Sequence, residues 1–235
     1  MTRYKQVQNL IKNSKKKLTS IEDLYNKSLK GKDIDPDLQI EIKNLLENLR
    51  SCLDYVARDI ASDVLSLSDE SKVYFPIVSP DKDKSSFEGA ISRNLPRLEV
   101  KNIAIFNLLE SYQPYKEGYD WLGKFADITS KLKHMELIPQ KKTEQTRISS
   151  ENNTSSSKVS WDPNSVKFGN GVYINQAYVN PTTQLPVRHP NNVVRKEIWV
   201  SFLFDGHDVS VLPFLKQCLN GVEKITETLY KSLDN

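Results

Sequence analysis

Apolar side chains recur at three- and four-residue steps from Tyr4 to Met135, alternate with polar ones between Val159 and Phe204, and return to the helical step from Val211 to Leu233. The first spacing turns one face of a helix to the core and the second turns one face of a sheet to it. The predicted fold class is therefore mainly α (α+β): a helical bundle of about five helices with a small antiparallel β insertion before the C-terminal helix. The expected organisation is a bundle over 1–139, a flexible linker or loop over 140–158, a β insertion over 159–208, and a C-terminal helix over 209–235 packing back on the bundle.

The first helix is expected over 3–30, with Tyr4, Val7, Ile11, Leu18, Ile21 and Tyr25 on one face and Ser14 and Ser28 in the same series. Asp35-Pro36 opens the second, as N-cap and first-turn proline, and it runs to about Leu67. Asp63 falls inside its apolar face and needs either a hydrogen-bonded partner or a departure from regular helix there. Val73–Val78, interrupted by Pro76, reads as an extended connector. Further helices are expected near Phe87–Arg93, Leu98–Tyr112 and Gly118–Met135, the last stopped by Pro139.

Residues 140–158 are polar without periodicity and read as a loop. Val159–Trp161, Val166–Phe168, Val172–Ile174 and Ile198–Phe204 read as strands, with Gly169-Asn170-Gly171 as a hairpin turn, and four to six short strands are expected. Asp208 or Ser210 caps the final helix.

Charge is unevenly distributed along the chain. Residues 1–32 hold nine Lys/Arg and two acids, a net of +7, so the other 203 residues sum to −4. On a helical projection Lys5, Lys12, Lys16, Lys27 and Lys30 fall on one stripe opposite the apolar face, a pattern that can track an RNA phosphate backbone or simply be solvated. No aromatic is interleaved with them, so this stripe is not a base-stacking platform. The two cysteines, Cys52 and Cys218, sit on apolar helix faces and read as buried thiols of a cytoplasmic protein. No stretch approaches the roughly 20 apolar residues of a membrane span, and no secretory leader pattern is present. Phosphate-binding glycine loops, GxSxG and zinc spacings are absent, so no metal and no cofactor is expected; His189 and His207 fall in turns.

Leu49-Arg50-Ser51-Cys52-Leu53-Asp54-Tyr55 is followed by Phe75-Pro76-Ile77, then Gln113-Pro114-Tyr115, then Lys133-His134. This order resembles a group of poorly characterised bacterial proteins whose helical part is similar to HEPN-type bundles, over about Leu45–Pro139. The resemblance implies a bundle that dimerises. It also implies either RNA binding or metal-independent endoribonuclease activity of the kind used in toxin–antitoxin systems and phage defence. Such active sites pair an arginine with a histidine across four to six intervening residues. His134 fits the histidine, but the matching positions are Asp127, Ile128 and Thr129. The cation would then come from Lys131 or Lys133, or from Arg50 or Arg58 on another helix.

In that reading His134 is the acid/base on a ribose 2′-hydroxyl and a lysine stabilises the charge of the transition state. A histidine in the last turn of a helix also interacts favourably with the dipole alone. Arg50, Asp54 and Arg58, at i, i+4 and i+8, equally form an ion-pair ladder. The alternative function is a non-catalytic interaction module that holds a homodimer or a protein partner.

Overall fold

The computed structural model describes residues 3–31, 35–68, 71–133, 140–152, 158–161, 166–187, 189–190, 192–204, 206 and 209–234. They fall into a helical unit, Met1–Gln140 with Phe204–Asn235, and a β unit, Lys141–Leu203. The helices are α1 (Tyr4–Gly31), α2 (Pro36–Asp63), α3 (Lys84–Asn94), α4 (Leu98–Lys101), α5 (Ile103–Ser111), α6 (Asp120–Lys133) and α7 (Val211–Leu233). The strands are β1 (Gln140–Asn152), β2 (Lys158–Trp161), β3 (Tyr173–Ile174), β4 (Ala177–Tyr178) and β5 (Asn192–Phe204). The protein is thus mainly helical with small antiparallel sheets. Among the described residues no helix is long and apolar enough to cross a membrane.

In the helical unit α1, α2 and α7 pack mutually, and α6 lies against α2 and α7. Val7, Ile11 and Ile21 of α1, Leu45, Leu49 and Leu53 of α2, and Leu215, Val222 and Leu229 of α7 are all buried. Each such side chain contributes about 1.5–3 kcal/mol, against about 0–1 for an exposed ion pair, so this seam and not the surface charges holds the bundle. Ser14 and Ser28 are buried as their place in the apolar series requires. Ser28 Oγ accepts the Asp35 N–H at 3.1 Å, and Asp35 Oδ1 caps α2 by accepting from Asp37 at 3.0 Å. Cys52 and Cys218 are free, buried thiols.

Three helical expectations are corrected. The segment 98–112 is two helices, because Asn102 leaves the helical region (φ −153°, ψ 87°) and its side chain caps α5 through the Ile105 N–H at 3.0 Å. With this break the described helices number seven, not about five. Asp63 is exposed, because α2 ends there and not near Leu67; the buried acid lies one turn earlier, at Asp59.

The β unit holds a three-stranded sheet in the order β2-β1-β5 and a separate hairpin of β3 and β4. Ile148, Trp161, Ile174 and Val179 form its core, with Phe168, Val172, Leu185 and Val194 packed on them. Gln140–Asn152, expected to be a loop, is strand β1, antiparallel to β2 with Ile148 opposite Trp161. Its alternation is hidden because an inward position is the buried Ser150, whose carbonyl and hydroxyl both accept from Asn175. Val166–Phe168 is not a strand: the backbone of Phe168 bonds to the Gln184 side chain, at 2.8 Å through its N–H and 3.2 Å through its carbonyl. The β3–β4 turn is Asn175-Gln176, downstream of Gly169-Asn170-Gly171.

Candidate functional site

The lysines of α1 divide into two groups. Lys15 pairs with Glu223 of α7 and Lys17 with Glu41 of α2, each at 2.6 Å, and Lys216 of α7 returns to Glu22 of α1 at 2.6 Å. These charges are neutralised between neighbouring helices. On the outer stripe Lys5, Lys12 and Lys16 are exposed and make no ion pair among the described residues, while Lys27 reaches Asp35 at 3.4 Å. The Lys30 side chain lies outside the described residues. At 1.5 Å per residue, Lys5 to Lys16 spans about 16 Å of uncompensated positive charge. Beside the stripe, a groove of about 260 Å³ runs between α1 and α7, floored by Val7 and Ile11 and rimmed by Lys12, Lys15, Glu223 and Glu227.

The Arg50, Asp54 and Arg58 ladder of α2 faces the connector at 71–78. Arg50 Nε donates to Asp54 Oδ2 and Nη2 to the Phe75 carbonyl, each at 3.3 Å, and the Phe75 N–H donates to Asp54 Oδ1 at 2.9 Å. Arg58 Nη1 donates to the Ser71 carbonyl at 2.6 Å. From the opposite side the fully buried Gln113 donates to the Pro76 carbonyl at 2.9 Å and accepts the Val78 N–H at 3.2 Å. The Arg-Ser-x-Leu-Asp, Phe-Pro-Ile and Gln-Pro-Tyr motifs are therefore one assembly, in which α2 and the turn after α5 clamp the backbone of an extended strap. A strap that pairs with no strand needs such partners for its buried amides. Beyond Gln113, Glu110 accepts from Lys116 at 2.8 Å and faces Lys84 at 3.2 Å. Burial, reinforced by the nearby Glu110 charge, pushes the Tyr115 hydroxyl up to about 12.

On α6, Lys131 Nζ pairs with Asp127 Oδ2 at 2.9 Å, and both side chains are exposed. Arg50 and Lys131 are thus held in separate ion pairs. The Lys133 side chain and all of His134 lie outside the described residues. Between the strap and α6 a cavity of about 430 Å³ is lined by Val78, Pro80, Gly123, Asp127 and Ser130. A Cβ on Gly123 would come within 2.6 Å of the Pro80 ring, so only glycine permits this approach.

Asp59 belongs to none of the sequence motifs. It is fully buried and binds the Arg3 guanidinium at 2.7 Å, the Arg3 N–H at 2.6 Å and the Tyr230 hydroxyl at 2.8 Å. The signal was its position, three residues after Val56 and seven after Cys52 on the apolar face. Among the described residues no group of three or more His, Cys, Asp or Glu side chains converges as a metal site. No protein-family model matches the chain, and no curated protein or solved structure matches it either.

Proposed function

We propose that this protein is a HEPN-like RNA-binding protein of the cytoplasm that engages the phosphate backbone through α1, in the setting of bacterial defence or a toxin–antitoxin pair. The observation that supports it is the division among the α1 lysines. Lys15 and Lys17 are neutralised by Glu223 and Glu41, whereas Lys5, Lys12 and Lys16 stay exposed without an ion pair among the described residues. Each phosphate contact releases counterions, contributing about −0.7 to the slope of log K against log salt for a single strand. The triple variant Lys5→Ala, Lys12→Ala, Lys16→Ala should therefore flatten that slope by about 2. An unchanged slope would remove the reading. The catalytic extension assigns acid/base work to His134 and charge stabilisation to Lys131 or Lys133. Arg50 and Arg58 are engaged with the strap. Incubating RNA in EDTA with the wild type and His134→Ala tests this extension: cleavage by the wild type alone supports it, and cleavage by neither leaves RNA binding without catalysis.

A second reading, the interaction module, is favoured by one observation. Val100 of α4 and Ile103 of α5 are neighbouring apolar side chains exposed to 79% and 54%. If this patch joins two copies of the chain, Val100→Asp converts a dimer to a monomer in light scattering. A wild-type monomer at micromolar concentration would count against it.

A further inference from the structure

The β unit carries a net positive charge and an exposed aromatic side chain, Tyr173. Residues 141–203 hold eight Lys/Arg and four Asp/Glu, a net of +4, whereas the rest of the chain sums to −1. Its hairpin pairs Tyr173 with Tyr178 and Ile174 with Ala177. Val179 bridges to Pro186, and the Val187 N–H donates to the Tyr178 carbonyl at 2.7 Å, so Tyr178 lies between Tyr173 and Val187 across three adjacent segments. Alternation then separates two rows. Ile174, Ala177, Val179 and Pro186 are buried. Tyr173 and Val187 point away from them and are exposed to 66% and 50%. The rings of Tyr173 and Tyr178 lie 5.6 Å apart at 59°.

This outer row is held rigidly. Asn175 and Gln176 form the turn with φ of 49° and 67°, the left-handed pair that suits the twist of a two-residue hairpin. Asn175 Nδ2 donates to the Ser150 carbonyl at 2.9 Å and to its hydroxyl at 3.2 Å, tying the turn to β1. An aromatic side chain fixed on such a turn loses little further entropy when something stacks on it.

We propose that the Tyr173–Tyr178 row is a stacking platform for an unpaired base of single-stranded RNA. The proposal rests on the RNA-binding reading and extends it to base contact. The lysines of α1 have no aromatic among them, whereas the β unit by itself combines the exposed Tyr173 ring with a net charge of +4. Every base has a π-face, so stacking adds affinity without demanding sequence. The row does not suit a stable protein partner. Two tyrosines and a valine offer roughly 500 Å² even if wholly covered, below the roughly 800 Å² per side of a standard interface.

The test uses the full chain as wild type, Tyr173→Ala and Tyr173→Phe. Each is titrated at fixed salt with a labelled single-stranded RNA of roughly 12 nucleotides, the matching duplex, and an abasic strand of the same length. Tyr173→Ala should weaken single-strand binding about tenfold while leaving duplex and abasic binding unchanged. Tyr173→Phe should bind as the wild type does. Because Tyr173 is largely exposed, both variants should melt with the wild type. Wild-type affinity of Tyr173→Ala for the single strand overturns the platform alone, as does equal weakening on all three ligands. Failure of the wild type to bind any of them overturns the RNA-binding reading and the platform together.

Discussion

The Tyr230 hydroxyl donates to the carboxylate of Asp59 at 2.8 Å, joining the end of α7 to the end of α2 in a site where Asp59 is wholly buried. Arg3 binds the same carboxylate through its guanidinium and its backbone N–H, so one acid orders the starts and ends of three helices. Burial, followed by the Asp59 hydrogen bond, holds the Tyr230 phenol protonated far above its ordinary range. A hydrogen bond to a buried charged group contributes about 1.5–3 kcal/mol. Tyr230→Phe should lower the unfolding free energy in urea by that amount. Combined with Arg3→Ala it should be non-additive by more than about 0.5 kcal/mol, because both act on one carboxylate. Simple additivity would show that the three groups are not a unit.

The strap gives a second prediction. Gln113→Ala leaves the Val78 N–H and the Pro76 carbonyl without the partners they now have. Each orphaned buried group costs on the order of 1–3 kcal/mol. Asp54→Ala removes the acceptor of the Phe75 N–H and the partner of Arg50 together, with a cost in the same range. Urea denaturation should rank Gln113→Ala as the more damaging, since Gln113 is fully buried and Asp54 is not. Limited proteolysis near Phe75 should accelerate in both. Unchanged cleavage would mean that the flanking apolar contacts of Phe75 hold the strap unaided.

Much of this architecture is legible in the chain, and the failures have identifiable causes. The core face of α1 reads correctly through Ser14 and Ser28 because helical spacing outweighs residue polarity. Strand β1 is illegible because Ser150 occupies an inward position that an apolar residue would have marked. The Asn175-Gln176 turn lacks the glycine that advertises a left-handed pair. The exchange of Asp63 for Asp59 is one turn of helix, and it depends on where α2 stops. The lysine stripe projects plainly from the sequence. Which of its neighbours are neutralised does not, since the partner of Lys15 stands 208 residues away. The order of the motifs was visible, whereas their shared role on the strap backbone needs the distances.

Glu110 gives the helical unit a dependence on acid. The Lys116 hydrogen bond, followed by that of Lys84, holds its carboxyl below the ordinary value of 4.5. A carboxyl depressed in the folded state adds stability that is complete above its unfolded pKa and is lost as pH falls through the folded one. The matching rise at Lys84 is set chiefly by Glu110 and acts only above 10.5, outside this window. The wild-type melting temperature should therefore decline below about pH 4.5, and Glu110→Gln should start lower at pH 7 and decline less steeply. Parallel pH profiles for the two proteins would show that other carboxylates govern the acid limb.

The division among the α1 lysines is tested most sharply by comparing neighbours of equal charge. Lys12 is exposed and makes no ion pair among the described residues, while three residues on Lys15 is bound to Glu223 at 2.6 Å. Removing Lys12 takes an uncompensated charge from the stripe, so Lys12→Ala should weaken RNA binding at low salt and flatten the salt slope by about 0.7, with stability within about 0.5 kcal/mol of wild type. Removing Lys15 uncovers Glu223 on the rim of the same groove. Lys15→Ala should cost about 0.2–1 kcal/mol of stability. Its effect on RNA is then repulsion by the bared acid, so Lys15→Ala with Glu223→Gln should restore affinity, whereas Lys12→Ala with Glu223→Gln should not. If Lys12→Ala and Lys15→Ala change the salt slope equally and the Glu223→Gln variants rescue neither, the RNA track does not follow the unpaired lysines.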